Sequence, residues 1–252
     1  MPPTHVHFNG SVNLADTETV MREIASRVPS GLRRVPDGET GDRGNWIYYQ
    51  LQKFMQWPSL TMAQLGDAGQ GNYRQPPQLR VADGVDPAGV TWPDLGYADA
   101  YLESYQTFAA LREQSVIPTG VRFQVEYPTP LASISAYIVP DQQAALLDSY
   151  EQAMFADLGR VLTAIPPGDV AVQWDVAVEF GVLESAFGPG GAQAFDAIVE
   201  GLVRCVDQVP AEIPASLHLC YGGVCTECGM GRVDRDQVPE LLDLHLEIIT
   251  AN

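Results

Sequence analysis

The apolar residues of this chain follow two periods. Short runs that are continuous or alternate every second position predict strands, and longer stretches with apolar residues every three or four positions predict helices. Strands are expected over residues 4–10 (THVHFNG), at the start of 32–41 (LRRVPDGETG), and over 121–127 (VRFQVEY), 169–175 (DVAVQWD), 215–220 (ASLHLC) and 223–228 (GVCTEC). Helices are expected over 14–28, with Asp16 or Thr17 near the N-cap, and over 45–56, 97–114, 141–165, 192–209 and 238–250. The stretch from Gly66 to Pro77, rich in Gly, Pro and Gln, reads as a surface excursion.

Strands that alternate with helices argue for a mostly parallel sheet covered by helices. Polar residues gather where these strands end: Asn9 and Ser11, Asp37 and Glu39, Glu126, Asp175 and Glu179, His218 and Cys220, Glu227 and Cys228. A (β/α)8 TIM barrel places its active site at that end of its strands, and a single such domain over residues 1–252 is the expected fold. An open doubly wound sheet is the alternative, although no Gly-x-Gly-x-x-Gly follows the first strand and no phosphate-loop motif occurs. Length complicates the barrel. Five strand-and-helix units occupy the first 220 of 252 residues, and the rest accommodates one more unit at ~30 residues each. The expectation is therefore a segment missing between Gly222 and Gly223. A direct peptide there would join two strands as a hairpin within an otherwise parallel sheet.

Charge narrows the partners. Fourteen Lys and Arg against 32 Asp and Glu give a formal net charge of −18, which opposes nucleic acid and anionic membrane surfaces. An apolar content of 46% supports a substantial core. No run reaches the ~18 consecutive apolar residues of a membrane span, and the N-terminus lacks the basic and apolar regions of a signal peptide, so a cytoplasmic location is expected. Four cysteines are too few for a disulfide scaffold, and three of them cluster with His218, which suggests metal binding or catalysis.

The cluster is SLHLCYGGVCTECGMGR, residues 216–232. His218 and Cys220 stand two apart on a strand, so their side chains leave the same face and can share an ion. The competing reading is that both are core residues of a buried strand. Cys225 and Cys228 form Cys-x-x-Cys, which in a continuous chain would complete a closed structural zinc site with His218 and Cys220. If a segment is missing, Cys225 is an ordinary strand residue. Cys205, in an apolar helical run, reads as structural.

HLCYG (218–222) and TECGMGR (226–232) together resemble the catalytic half of cobalamin-independent methionine synthase and, more widely, the methionine synthase and uroporphyrinogen decarboxylase superfamily. The resemblance implies zinc held by His218, Cys220 and Cys228, with a further glutamate ligand that has no counterpart here. It also implies that the backbone of Gly10 and Ser11 receives a substrate carboxylate. The Gly38-Glu39 loop, with Asn45 and Trp46 downstream, would hold a substrate amine, and the Gln173-x-Asp175 strand end would supply a second amine-binding acid. Val176 and Ala177 stand where the synthase has Glu-Pro. The overall order is also similar to a group of single-domain relatives with a PDGETG motif, here residues 36–41.

Zinc takes four N, S or O ligands, keeps a position for substrate in a catalytic site, and lowers the pKa of a bound thiol so that it attacks as a thiolate. The expected function is a zinc-dependent transfer of a methyl or other small alkyl group to or from a thiol. Its partners would be a small-molecule thiol and a methyl donor, with homo-oligomerisation left open. Glu39 and Asp175 are the candidate catalytic and substrate-gripping acids, Gly10, Ser11 and Asp37 further substrate contacts, and Trp46, Tyr127 and Trp174 pocket walls. Asp37 and Glu39 otherwise shape a Gly-rich turn, and Asp175 otherwise caps the next helix. Arg43 and Arg232 are carboxylate binders or surface ion pairs. Two alternatives stand beside this. One is a metal-free decarboxylase or carbon–sulfur lyase in which Asp37, Glu39 or Asp175 supplies acid and base. The other is a non-catalytic, zinc-stabilised barrel acting as a binding module.

Overall fold

Asp16 opens the first helix: its carboxylate accepts from the Thr19 backbone N–H at 2.8 Å. That helix, α1 (Thr17–Arg27), buries Val20, Met21 and Ile24 completely. This computed structural model describes residues 5–65, 76–185, 191–220, 234–240 and 242–243, without the side chains of residues 46 and 47. After α1 come β1 (Arg34–Val35), a 3-10 turn at Gly41–Asn45, α2 (Trp46–Met55), β2 (Leu60–Gln64), β3 (Gln78–Val81) and α3 (Tyr97–Glu113). Then follow β4 (Arg122–Pro128), α4 (Pro130–Tyr137), α5 (Pro140–Ala164), β5 (Val170–Val176), α6 (Val178–Leu183), α7 (Phe195–Asp207) and β6 (Ala215–Leu219).

Four strands form one parallel sheet in the order β1-β4-β5-β6, and a parallel bridge between Val6 and Leu32 sets the first segment beside β1. The spatial order repeats the chain order, so the sheet has none of the order reversal that defines a doubly wound fold. The closed eight-stranded TIM barrel is not formed either. Among the described residues there are six strands, and two of them, β2 and β3, pair antiparallel with each other apart from the parallel sheet. The result is a parallel half barrel. Its last strand shows why it counts as half: β5 is buried along its whole length, whereas Leu217 and Leu219 on the outer face of β6 are 40% and 42% exposed. Parallel strands are normally covered on both faces. The expected strand at 223–228 and the Gly222–Gly223 junction lie outside the described residues, as does most of the expected helix at 238–250. Among the described residues, no helix is long and apolar enough to cross a membrane.

Alternation along β4 and β5 separates packing from chemistry. Phe123, Tyr127 and Trp174 face the helices: Tyr101 of α3 lies 5.6 Å from Tyr127, and Phe155 of α5 lies 6.1 Å from Trp174, ring centre to ring centre. Gln124, Glu126, Gln173 and Asp175 therefore point to the opposite, inner side. The parallel register sets Glu126 beside Gln173 and Pro128 beside Asp175.

Candidate active site

The loop after β1 is wound tightly. Gly38 has φ 80° and Glu39 has φ 50°, a left-handed conformation that costs ~1–2 kcal/mol for a residue with a Cβ. Three contacts hold it. Asp37 Oδ1 accepts from the Glu39 N–H at 2.9 Å, the Val12 N–H donates to Gly38 O at 2.9 Å, and Ser11 Oγ donates to Glu39 Oε2. Asp37 Oδ2 in turn accepts from Ser104 Oγ of α3 at 2.8 Å and pairs with the Arg43 guanidinium. Arg43 is buried, 4.8 Å from the centre of the Tyr101 ring, so it is an internal ion pair and not a surface one. Burial works against its charge, but the Asp37 carboxylate outweighs this with further help from neighbours, and the Arg43 pKa stands above its ordinary value.

Next to this loop, two strands carry the same unit side by side. On β5, Gln173 Nε2 donates to Asn9 O at 3.0 Å and to Asp175 Oδ1 at 2.8 Å. On β4, Gln124 Nε2 donates to Phe8 O and to Glu126 Oε1, both at 2.6 Å. Each glutamine ties the first segment to the sheet and orients an acid two residues further on. Tyr101 fixes the backbone of Glu126, accepting from its N–H at 3.0 Å. Asp175 Oδ1 also lies 3.1 Å from His218 Nδ1, and Cys220 Sγ lies 3.8 Å from that same nitrogen. Asp175 thus serves the strand ends and does not cap α6, whose N-cap is Ala177 without a side-chain bond.

Crowding of buried acids sets the electrostatics. Burial, followed by the charge of Asp175, pushes the Glu39 carboxyl up to about 8. Burial, followed by the charges of Glu39 and Asp37, holds Glu126 well above the carboxylate range. Burial also lowers His7, whose Nε2 donates to Gln173 Oε1 at 2.6 Å. The Glu39 shift has a consequence for stability. Between pH 4.5 and about 8 the folded chain keeps a proton on Glu39 that the unfolded chain releases. This group therefore makes stability fall as pH rises through that window and level off above it. Glu39→Gln is expected to exceed the wild type in urea-unfolding stability at about pH 8 by ~1 kcal/mol or more, with the gap narrowing towards about pH 5. A wild-type advantage at the higher pH would contradict the assignment.

The sequence candidates divide between this site and other places. Ser11, Glu39 and Gly38 line a cavity of about 250 Å3, which Thr40 and Arg235 help to close. A larger cleft of about 660 Å3 lies between α1 and α3 and touches Arg43, but not Glu39, Asp175 or His218. Gly10, with φ 124°, stands against Glu126: a Cβ there would come within 3.2 Å of Glu126 Cδ. Tyr127 is not brought to the site. It is fully buried on the helix side, where its hydroxyl donates to Asp157 Oδ1 at 2.8 Å, and Trp174 packs beside it. Trp46 opens α2, and its side chain lies outside the described set, as do Cys225, Cys228 and Arg232. Cys205 is a buried thiol, which burial pushes up to about 12.

Gln124 and the internal role of Arg43 escaped the sequence reading, and Glu126 entered it only as a strand-end acid. A usable signal was present, because Gln-x-acid occurs at 124–126 as well as at 173–175. Of the expected zinc ligands, His218 and Cys220 stand together at the end of β6, and Cys228 lies outside the described residues. No group of three or more His, Cys, Asp or Glu side chains converges among the described residues to hold a metal ion, and the expected set is represented by the His218–Cys220 pair. Comparison with protein-family models, curated proteins and solved structures finds no match to this chain.

Proposed function

We propose that the protein is an enzyme that transfers a methyl or other small alkyl group to or from a small-molecule thiol, with zinc at His218 and Cys220. One observation carries the reading: the 3.8 Å between His218 Nδ1 and Cys220 Sγ at the end of β6. A tetrahedral zinc with Zn–N ~2.0 Å and Zn–S ~2.3 Å separates two such donors by ~3.6 Å, so this pair fits one ion. Cys228 would be the third protein ligand. Bound zinc would lower the pKa of the substrate thiol. Zinc on Nδ1 would take the place of the 3.1 Å contact between that nitrogen and Asp175 Oδ1, and Glu39, in the loop after β1, would offer its carboxyl to a polar group of the substrate.

Elemental analysis of the whole chain, purified without added metal, tests this. About one zinc per chain is expected, with most of it lost in Cys220→Ala, because a two-ligand remnant binds zinc far more weakly. Zinc-free protein that stays so after incubation with zinc, or full zinc retention in Cys220→Ala, would overturn the reading. A metal-free decarboxylase or lyase is the second reading, favoured by Glu39. A carboxyl pushed up to about 8 is protonated at neutral pH and can act as a general acid.

A further inference from the structure

We infer that β6 and α7 form the interface of a homodimer, in which a second copy of this chain adds its own β6 antiparallel to the open edge of the sheet and lays its α7 against the first. The assignment goes beyond the thiol-transfer reading and does not depend on it. β6 is the last strand of the parallel sheet among the described residues. The Cys220 N–H donates to Val176 O at the end of β5 at 3.0 Å, so alternation turns the backbone N–H and C=O of Leu217 and Leu219 to the open edge. Their side chains stay half-exposed on the face that the helices cover elsewhere. α7 adds an apolar stripe beside them. Phe195, Val199 and Val203 are 54%, 40% and 51% exposed, and their spacing sets them on one side of the helix. Ile198 and Cys205 mark the side of α7 turned to the core, and Arg204 bonds to Glu151 of α5 on one flank. The stripe therefore occupies the other flank, facing the space past β6.

The length of the chain leaves this space to another molecule. Thirteen residues separate Cys220 from Asp234, and Arg235 is back beside Ser11 and Glu39. A helix running the ~17 Å of β6 would use ~11 residues and leave too few for the return. Asp243, the last described residue, pairs with Arg27 of α1, which leads into β1 at the opposite edge of the sheet. A second copy fits by geometry. As the crossover helix between β5 and β6, α7 lies over that pair of strands. Across a two-fold axis normal to the sheet and beside β6, its counterpart would lie two strand spacings away. That is ~10 Å, within the ~8–10 Å at which helices pack. Leu217 and Leu219 of both copies are then covered beneath the two helices, in the self-complementary contact that a two-fold dimer requires.

Sedimentation of the whole chain across micromolar concentrations tests the assignment. A mass of about twice the 27.4 kDa of one chain is expected. Val203→Glu, at a side chain already exposed, is expected to weaken the dimer about tenfold or more, because it sets a carboxylate against its two-fold mate in an apolar contact. Each copy carries a formal charge of −18, so added salt, which screens the repulsion, is expected to tighten the dimer. A monomer throughout, an unchanged dimer in Val203→Glu, or a dimer that salt loosens overturns the assignment. Amide hydrogen exchange of the wild type decides the matter independently of any variant. Exchange of the Leu217 and Leu219 N–H groups is expected to slow as protein concentration rises. Exchange that is fast at every concentration, as on an edge that awaits a different partner, overturns it. So does exchange that is slow in the monomer, as on an edge covered by its own chain.

Discussion

Replacing Gly38 with alanine is expected to destabilise the protein by ~2–5 kcal/mol through two independent effects. The first is packing. A Cβ on Gly38 would lie 2.6 Å from Val20 Cγ2 and 3.0 Å from Val20 Cγ1, and Val20 is fully buried in α1. Forcing a methyl group into such a core costs ~1–3 kcal/mol. The second is backbone strain, since φ at Gly38 is 80° and an alanine there loses ~1–2 kcal/mol. Gly41 separates the two effects: its φ is 66°, but nothing lies within 4 Å of the position its Cβ would take. Gly41→Ala should therefore show the strain alone. Denaturant unfolding of both variants is expected to rank Gly38→Ala clearly below Gly41→Ala, and equal losses would remove the packing argument. Because Gly38 adjoins the strained Glu39, loss of fold in this variant is also loss of the site.

The half barrel was legible where local chemistry and period agreed. α1 begins at Asp16, α3 spans Tyr97–Glu113, and β4 and β5 lie within one or two residues of their expected bounds, because helix caps and apolar alternation act over a few residues. α4 was missed although its signals are local: Thr129 caps it, accepting from the Ala132 N–H at 3.2 Å, and Pro130 occupies the first turn. The β2–β3 pair was missed for a different reason. Four of the five β2 residues are exposed, so the strand lacks a strong apolar stripe and depends on its partner, β3. Closure of the sheet could not be read from period at all. Alternation says that strands and helices take turns, and it leaves open how many strands will meet around one axis. At the site, the strand-end acids were visible as residue types, whereas their company was not. Tyr127 was expected in the pocket, but strand parity sends it to the helices and sends its neighbour Glu126 to the site. Arg43 resembled a surface cation on an acidic chain, and only the fold sets it against Asp37 beneath α3.

Asp37→Asn carries the other large expected effect, a loss of ~3–5 kcal/mol, because removing one partner of a buried ion pair leaves the other charge uncompensated. The substituted amide would keep the shape and could still accept from the Glu39 N–H, so the loss reports charge more than geometry. Adding Arg43→Met should recover part of it, since the double variant no longer holds a buried unpaired cation. No recovery would mean that Asp37 acts through its bonds to Ser104 and Glu39 instead. The same substitution should also reach the chemistry. Asp37 raises the Glu39 pKa and Arg43 lowers it. With position 37 neutral and Arg43 unopposed, the Glu39 carboxyl should titrate below its wild-type value of about 8. Any step that needs Glu39 protonated would then lose its high-pH limb earlier, and ligand binding that needs Glu39 ionised would extend to lower pH. Carboxyl titration followed by NMR in Asp37→Asn is the direct measurement. No movement of Glu39, or an upward one, would show that the Asp37 charge does not hold the Glu39 pKa up and would overturn this coupling.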